Sequence, residues 1–306
     1  MLIHKTLIIM KFVNQKKFFI ILMLLPSTVL LLGLTIFPFI VGLILGFTDF
    51  SLIRPQNGMR GVGFENYIEI FTTEEFWISF KTTIIFTFFA VTIQLILGTL
   101  MAVLLHHNSK TAPIMRALYL LPLAVTPVAA TFSFRMMFNP SLGVFNFFLE
   151  SSGFAPLAWL SKPDLALISL IIVDIWQWTP FIMLIVAGGL ASLPNEPFES
   201  AKVDGAGDIQ IFFHHTLPLL KPYLALAVIF RIIDAFKTFD IIYVLTGGGP
   251  GISTRTLNLM AYRYGMEYLE LGYAASFAII MLLIIILFSQ IFLRKTNIYS
   301  TKVARL

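Results

Sequence analysis

The chain has 306 residues, of which 58% are apolar and only 12% are charged. A soluble domain usually carries about 25% charged residues, so the composition predicts a membrane protein rather than a soluble one. Cysteine is absent, which excludes disulfides and thiolate metal sites. The net charge of +5 does not indicate a nucleic-acid partner, because the basic residues cluster at the predicted membrane edges.

The first apolar run follows a basic segment, an order that resembles a signal peptide. The run covers residues 18–47, however, which is far longer than the roughly 7–15 residues of a signal core. No small-residue cleavage site follows it. We therefore predict a retained first span after a tail of residues 1–17, with Met10 as an alternative start of the chain.

Six segments contain the roughly twenty apolar residues that a membrane helix needs. Long apolar runs in lipid must be helical, because lipid offers no partner to an open backbone. The fold class is therefore an all-α membrane protein with six transmembrane helices. Prolines interrupt several of the helices. The predicted spans are 18–47, 82–105, 117–134, 165–191, 223–246 and 271–293, and together they form a membrane domain over residues 18–293.

The distribution of basic residues predicts the orientation. Twelve Lys and Arg residues lie on the side of the two chain ends, and seven lie on the other side. Under the positive-inside rule, both termini, including the tail 294–306, are cytoplasmic. The loop 195–222 lies on the same side.

This cytoplasmic loop carries its own helix signals. Asn195 is a good N-cap, and the helix that it begins is expected to end near Asp204, where Gly205 permits a left-handed backbone. Asp208 can then cap a second helix, which Pro218 and the later Pro222 are expected to stop at the membrane. Such an element suits docking into a groove of another protein. The alternative is a connecting loop without a partner.

Five charged residues fall inside the predicted fourth and fifth spans. Each costs on the order of 3 kcal/mol at the bilayer centre, so they must face protein, partners or water. Helical spacing allows i, i+3 ion pairs between Arg231 and Asp234 and between Lys237 and Asp240. Purely structural pairing is therefore an alternative to a role in transport. The fifth charge is Asp174.

Polar and aromatic side chains accompany these charges at helical spacing. Asp174 shares a face with Trp178, and Asp240 shares one with Phe236. Together these groups can form a polar path with aromatic walls, so they are the candidates for a solute pathway. The candidate pathway residues are Asp174, Trp176, Gln177, Trp178, Asp234, Phe236, Lys237 and Asp240.

The sequence gives no support for a phosphate-binding, metal-binding or catalytic site. The glycines of residues 247–251 lack the lysine of a phosphate-binding loop, and no other ATP-site motif is present. Two pairs of adjacent histidines do not share a helix face, so no metal site is predicted. No nucleophile, base and acid form a recognisable set. The chain is therefore predicted not to be an enzyme and to hold no cofactor of its own.

The cytoplasmic loop reads Glu199-Ser200-Ala201, then Gly205, then His215-Thr216-Leu217-Pro218. This pattern resembles the EAA loop of bacterial ABC importer permeases, whose motif is Glu-Ala-Ala, then Gly, then Ile-x-Leu-Pro. Here Ser200 replaces an alanine and His215 replaces the isoleucine. Further matches lie in residues 63–67, 159–161, 175–180 and 239–250. Together they resemble the carbohydrate-uptake permeases of the MalF/UgpA type, which implies a MetI-like fold with six spans in a bacterial or archaeal cell membrane.

The resemblance implies roles and partners. The loop is the helix that couples the spans to ATP-binding subunits, through Glu199, Ser200, Ala201, Asp204, Gly205, Leu217 and Pro218. The outer turn contacts a solute-binding protein, through Gly247, Gly248, Gly249 and Pro250. The expected partners are a second permease of the MalG/UgpE type, two ATPase copies that bind the ATP, and an extracytoplasmic solute-binding protein.

The resemblance also implies a function. The solute is expected to be a sugar, a related polyol or a sugar phosphate, moved by alternating access. An ion-coupled secondary transporter that works through Asp174 or Asp234 without ATPase subunits is the rival. That class often has inverted repeats, and the chain shows no internal repeat.

Overall fold

The computed structural model describes residues 19–106 and 112–296. The predicted tail of residues 1–17, the residues after 296 and His107 lie outside these ranges. Within them the backbone is almost entirely helical, and the one pairing of extended residues is an isolated bridge between Thr48 and Gly61. The prediction of an all-α membrane fold is confirmed.

Within the described residues, five helices are long and apolar enough to cross a membrane. These are α1 (Phe19–Leu45), α3 (Glu74–Leu104), α7 (Pro163–Ala191), α9 (Asp208–Phe236) and α12 (Leu271–Thr296). Shorter helices connect them. These are α2 (Glu65–Thr72), α4 (Ala112–Ala124), α5 (Pro127–Met137), α6 (Val144–Ser151), α8 (Glu196–Val203), α10 (Asp240–Leu245) and α11 (Leu257–Tyr262).

The predicted third span is not one continuous helix. Helices α4 and α5 meet at an angle of 94°, and they give a sixth crossing only if the bent pair is counted as one. Thr126 between them is extended, and Pro127 begins α5. A residue before proline avoids the helical backbone, which explains the bend. The predicted span of residues 117–134 therefore covers parts of two helices, and the expected interruption by proline is present at Pro127.

The predicted fifth span is wrong at both ends. Helix α9 begins at Asp208, inside the predicted cytoplasmic loop, and continues past Pro218 and Pro222 to Phe236. A π-helical turn over Phe212–Thr216 precedes the prolines. Such a turn changes the hydrogen-bond register where a proline lacks its N–H, so the helix continues past the prolines instead of stopping.

The chain after Phe236 forms a separate short helix, α10. Because α9 ends there, residues 236 and 240 do not share one helix face as predicted. The described residues also contain no ion pair between Lys237 and Asp240.

The core forms where α3 packs along α7. At Gly98, an added Cβ would lie 2.9 Å from the Cβ of Ile182, so the two backbones approach closely. Small residues at membrane helix crossings permit such contacts. Helix α1 packs against α12 only through its C-terminal part, and none of its most apolar stretch is buried.

The close crossing of α3 and α7 predicts a size limit. Replacing Gly98 by Leu should force the two helices apart and destabilise the fold by about 1–3 kcal/mol, the usual cost of overpacking. Thermal unfolding of the purified chain would measure this. The matched control is Gly188→Leu in α7, where an added Cβ meets nothing within 4 Å. Equal melting temperatures for the two variants would contradict the expectation.

Candidate functional site

A buried charge network joins α3, α7 and α9. Arg231 is fully buried, and its Nη2 donates to Asp174 Oδ2 at 2.8 Å. Its Nε donates to Gln94 Oε1 at 2.8 Å, and the Gln94 amide donates to Asp174 Oδ2, also at 2.8 Å. A charge inside a membrane protein is stable only with such partners. The network therefore stabilises the arrangement of the three helices.

The network extends to the protein surface through Asp234. Arg231 Nη1 donates to Asp234 Oδ2 at 2.5 Å, and the side chain of Asp234 is 45% exposed. The predicted i, i+3 ion pair is thus present, although the same arginine also contacts Asp174. Arg231 Cζ lies 4.9 Å from the centre of the Trp178 ring, a cation–π distance. Two carboxylates therefore share one guanidinium beside an aromatic ring.

Aromatic rings continue from Trp178 along the same surface. Trp178 and Phe181 meet edge to face at 6.3 Å, and Phe181 meets Phe230 in the same way at 6.4 Å. Phe230 is half exposed. It lies one helical turn before Asp234, so the two share a face of α9. We call Trp178, Phe181, Phe230 and Asp234 the aromatic face.

The other predicted pathway residues lie elsewhere. Gln177 donates to the carbonyls of Pro122 and Val125, which lie at the bend between α4 and α5. Trp176 packs edge to face against Phe134 at 5.3 Å. Phe236 is buried in an apolar cluster between α3 and α12. The structure thus brings Asp174, Trp178 and Asp234 together, but gives Gln177, Trp176 and Phe236 packing contacts.

Lys237 and Asp240 are exposed beyond the end of α9. The Lys237 carbonyl accepts a hydrogen bond from Asn258 Nδ2 at 2.5 Å, which holds this corner of the chain against α11. Neither side chain is part of the charge network. Sequence spacing therefore assigned these two residues to the pathway without support from the geometry.

Three residues of the site were missed from the sequence. Gln94 was missed although it is the one amide side chain in the long apolar helix α3, which is a usable signal. Phe181 and Phe230 were not among the candidate pathway residues. Nothing distinguishes these two rings locally in a chain with 31 phenylalanines.

The EAA-like segment forms the predicted short helix, α8. Asn195 occupies the N-cap position without a side-chain hydrogen bond, and Gly205 has a positive φ of 80° after the helix. Ala201 is buried, whereas Glu199 and Asp204 are exposed. The predicted helix and its glycine terminus are therefore present.

Two details of the second helix differ from the prediction. Gly207, not Asp208, is the N-cap of α9, and its backbone N–H donates to the Gln210 side chain at 3.1 Å. Leu217 and Pro218 lie inside the helix rather than at its end. Ser200 Oγ donates to the Glu196 carbonyl at 2.8 Å, so its hydroxyl is satisfied within α8.

An exposed apolar patch lies at the junction of α8 and α9. Val203 is 88% exposed, Ile209 75% and Phe213 59%. We call these three residues the apolar patch. Because this junction lies in the loop predicted to be outside the lipid, its exposed apolar side chains make it a candidate surface for contact with another protein.

One helix carries both sites. Helix α9 is 29 residues long, which corresponds to about 43 Å. Its first turns present Ile209 and Phe213, and its last turns present Phe230 and Asp234. In its middle, Tyr223 contacts Gly189 so closely that an added Cβ would lie 2.7 Å from the ring. The patch and the aromatic face are therefore connected by a continuous packed element.

The predicted outer turn is held by many hydrogen bonds. Gly247 and Gly248 have positive φ values of 59° and 91°. The Thr254 hydroxyl donates to the Gly249 carbonyl at 2.6 Å, and Arg263 donates to the Gly247 carbonyl at 2.8 Å. Pro250 follows on the same turn. A rigid, partly exposed loop of this kind presents a preformed surface.

An ion pair ties this turn to α3. Arg255 lies in ion-pair contact with Glu75, in the first turn of α3. Burial, and to a smaller extent the nearby Arg263, lower the pKa of Arg255. Even a lowered arginine pKa leaves the guanidinium charged at physiological pH. The pair therefore holds the outer end of α3 to the glycine turn.

Known proteins resemble this chain in fold. A crystal structure of a bacterial ABC transporter involved in the import of the acidic polysaccharide alginate matches 92% of this chain and 96% of its own, with a TM-score of 0.82 and 20% identity. The alginate transporter in complex with a pentasaccharide-bound periplasmic protein gives a TM-score of 0.79 and 22% identity, over 92% of this chain and 96% of that one. At this identity the likeness shows the fold alone.

Sequence comparison reaches further. The trehalose/maltose transport system permease protein MalF of Thermococcus litoralis is 38% identical over 233 residues, 76% of this chain and 79% of the relative. The sulfoquinovosyl glycerol permease SmoG of Agrobacterium fabrum is 34% identical, over 90% of this chain and 89% of the relative. The family model for binding-protein-dependent transport system inner membrane components matches residues 94–295. The chain therefore belongs to this family, the inner membrane permeases of ABC importers.

Proposed function

We propose that the chain translocates a sugar or a related polyol as one permease subunit of an ATP-driven importer. Family membership supports the permease role, and relatives named for trehalose/maltose and sulfoquinovosyl glycerol support a carbohydrate solute. The observation that carries the proposal is α9, which joins the apolar patch to the aromatic face. The proposed partners are a second permease, two ATPase subunits and an extracytoplasmic binding protein.

The aromatic face supports a carbohydrate as the solute. Aromatic rings stack on the apolar C–H faces of sugars, and a carboxylate accepts their hydroxyl hydrogen bonds. Trp178, Phe181 and Phe230 supply rings, while Asp234 supplies a half-exposed carboxylate. Arg231 orients that carboxylate, because it donates to one of its two oxygens. The other oxygen is then available to a solute hydroxyl.

The proposed mechanism starts at the apolar patch. In it, the exposed side chains of Val203, Ile209 and Phe213 occupy a groove of the ATPase subunit. Closure of the ATPases on ATP moves α8 and the start of α9 together. The charge network and the Tyr223 contact then carry α7 and α3 with α9, so the aromatic face turns toward the other side of the membrane.

Asp234 is expected to act in solute affinity rather than in folding. Asp234→Asn should retain the fold but raise the KM for uptake about ten-fold, since a hydrogen bond to a charged group contributes about 1.5–3 kcal/mol. Uptake kinetics of the reconstituted importer would measure this. Asp240→Asn, which changes an exposed carboxylate outside the network, is the control. Equal KM values for both variants would remove Asp234 from the pathway.

The proposed orientation places both termini and α8 in the cytoplasm. Because the chain has no cysteine, single introduced cysteines report their side directly. Ser200→Cys in α8 should react with a membrane-impermeant maleimide only in inverted vesicles, and Ser141→Cys, before α6, only in intact cells or spheroplasts. Labelling in the reverse pattern would invert the topology.

The experiment that tests the proposed function is reconstitution. The permease pair, the ATPase subunits and the binding protein in proteoliposomes should take up solute only with ATP. A matched assembly with a hydrolysis-deficient ATPase should take up none. The rival secondary transporter would instead show uptake by this chain alone on an ion gradient, and that result would overturn the proposal. Both Asp174 and Asp234 contact Arg231, which lends the rival no support.

A further inference from the structure

An apolar groove opens between α3, α9 and the C-terminal half of α12. It has a volume of about 670 Å³. Helix α12 packs tightly near its start, where an added Cβ on Gly272 would lie 2.1 Å from the Thr48 carbonyl oxygen. Its last buried residue is Met281. Beyond Met281 no described residue of the helix is buried, and this part of α12 forms one wall of the groove.

The groove is apolar along its length and basic at one end. Val91 from α3, Ala225 from α9 and Phe288 from α12 represent its apolar walls. Lys221 and Lys295 line the end nearest the C-terminus of α12, and no lining residue carries a carboxylate. Among the described residues, neither lysine forms an ion pair. Two ammonium groups on different helices thus converge on a long apolar channel.

We propose that this groove binds an anionic phospholipid, with an acyl chain along the apolar walls and the phosphate between Lys221 and Lys295. The inference goes beyond the proposed transport function and does not depend on the solute. In the proposed orientation, the basic end lies at the cytoplasmic leaflet, where lysines near the surface attract anionic headgroups.

The chemistry favours a lipid over a polypeptide helix. A helix of the second permease would complement the apolar walls, but it would also need an acidic residue placed between the two lysines. An anionic phospholipid carries both features in one molecule, with the charge at the end where the lysines lie. A bound lipid would also connect α9, which bears part of the apolar patch, to α12, so it could affect how the two helices move together.

The test uses the complete importer, purified in mild detergent and exchanged into mixed phosphatidylglycerol and phosphatidylcholine. Native mass spectrometry should show wild-type importer retaining phosphatidylglycerol in preference to phosphatidylcholine. The double variant Lys221→Gln/Lys295→Gln should lose roughly ten-fold or more of that preference. Arg294→Gln, which removes a neighbouring charge that does not line the groove, is the matched control. Equal preference in the wild type and the double variant would overturn the proposal.

A second pair of variants tests the apolar part. Ala225→Phe should fill the groove and reduce lipid retention, whereas Leu226→Phe on the neighbouring exposed position should not. A benzophenone reagent on Ala225→Cys should form adducts with lipid. Adducts with the second permease, together with an unlipidated importer, would show that a protein helix occupies the groove and would also overturn the proposal.

Discussion

Arg231→Met is expected to be among the most damaging single substitutions in this chain. It removes the one cation that contacts both Asp174 and Asp234, and Asp174 is fully buried. Removing one partner of a buried ion pair costs about 3–5 kcal/mol, because the other charge stays buried without compensation. For a chain of this size, that corresponds to a fall in melting temperature of roughly 10 °C.

A second substitution separates charge compensation from packing. Arg231→Met/Asp174→Asn removes both buried charges, so it should recover most of the lost stability. Lys237→Met, which removes an exposed cation outside the network, should change stability by less than about 0.5 kcal/mol. Thermal unfolding of the four proteins in one detergent provides the comparison. A double variant less stable than Arg231→Met alone would show that the arginine acts through its shape rather than its charge.

Gly205→Val is expected to uncouple ATP hydrolysis from transport with little loss of folding stability. Gly205 has a φ of 80°, and an added Cβ would meet no atom within 4 Å. The defect is therefore purely one of backbone conformation, which costs an ordinary residue about 1–2 kcal/mol and a β-branched one more. Relief of that strain would reorient α8 against α9 and displace the apolar patch.

The measurement is solute-stimulated ATPase activity and uptake by the assembled importer, and both should fall about ten-fold. Gly205→Asn should retain most activity, because asparagine tolerates this backbone region. Gly207→Val is the matched control, since Gly207 is extended at a φ of −75° with open space around it. If Gly207→Val lost as much activity as Gly205→Val, bulk at the junction would be the cause instead of the backbone turn.

Helices α1, α7 and α12 were predicted from the sequence to within three residues at each end. Their apolar runs are long and end at charged or polar residues, so local composition determines where these helices begin and end. The prolines were recognised, but their effects were not, because those effects depend on tertiary partners. Pro127 begins a new helix at a bend where the Gln177 side chain donates to a backbone carbonyl. Pro218, in contrast, lies within helix α9, which continues after a π-helical turn.

The candidate site was predictable only in part. The pair of Arg231 and Asp234 follows from i, i+3 spacing. The contacts of Arg231 with Asp174 and Gln94 span 57 and 137 positions in the chain, so no local pattern reveals them. The EAA-like segment was found by its motif, and its glycine turn follows from elementary backbone sterics. The exposure of its apolar residues could be recognised only from the three-dimensional structure.

The length of α9 also determines the amplitude of movement. A straight rod of about 43 Å that rotates by 10° displaces one end by about 7 Å relative to the other. A modest rotation that begins at Phe213 would thus move Asp234 by more than the width of a water molecule. For a given angle of rotation, the displacement of one end of α9 is proportional to the length of the helix. Shortening α9 would therefore reduce that displacement in proportion.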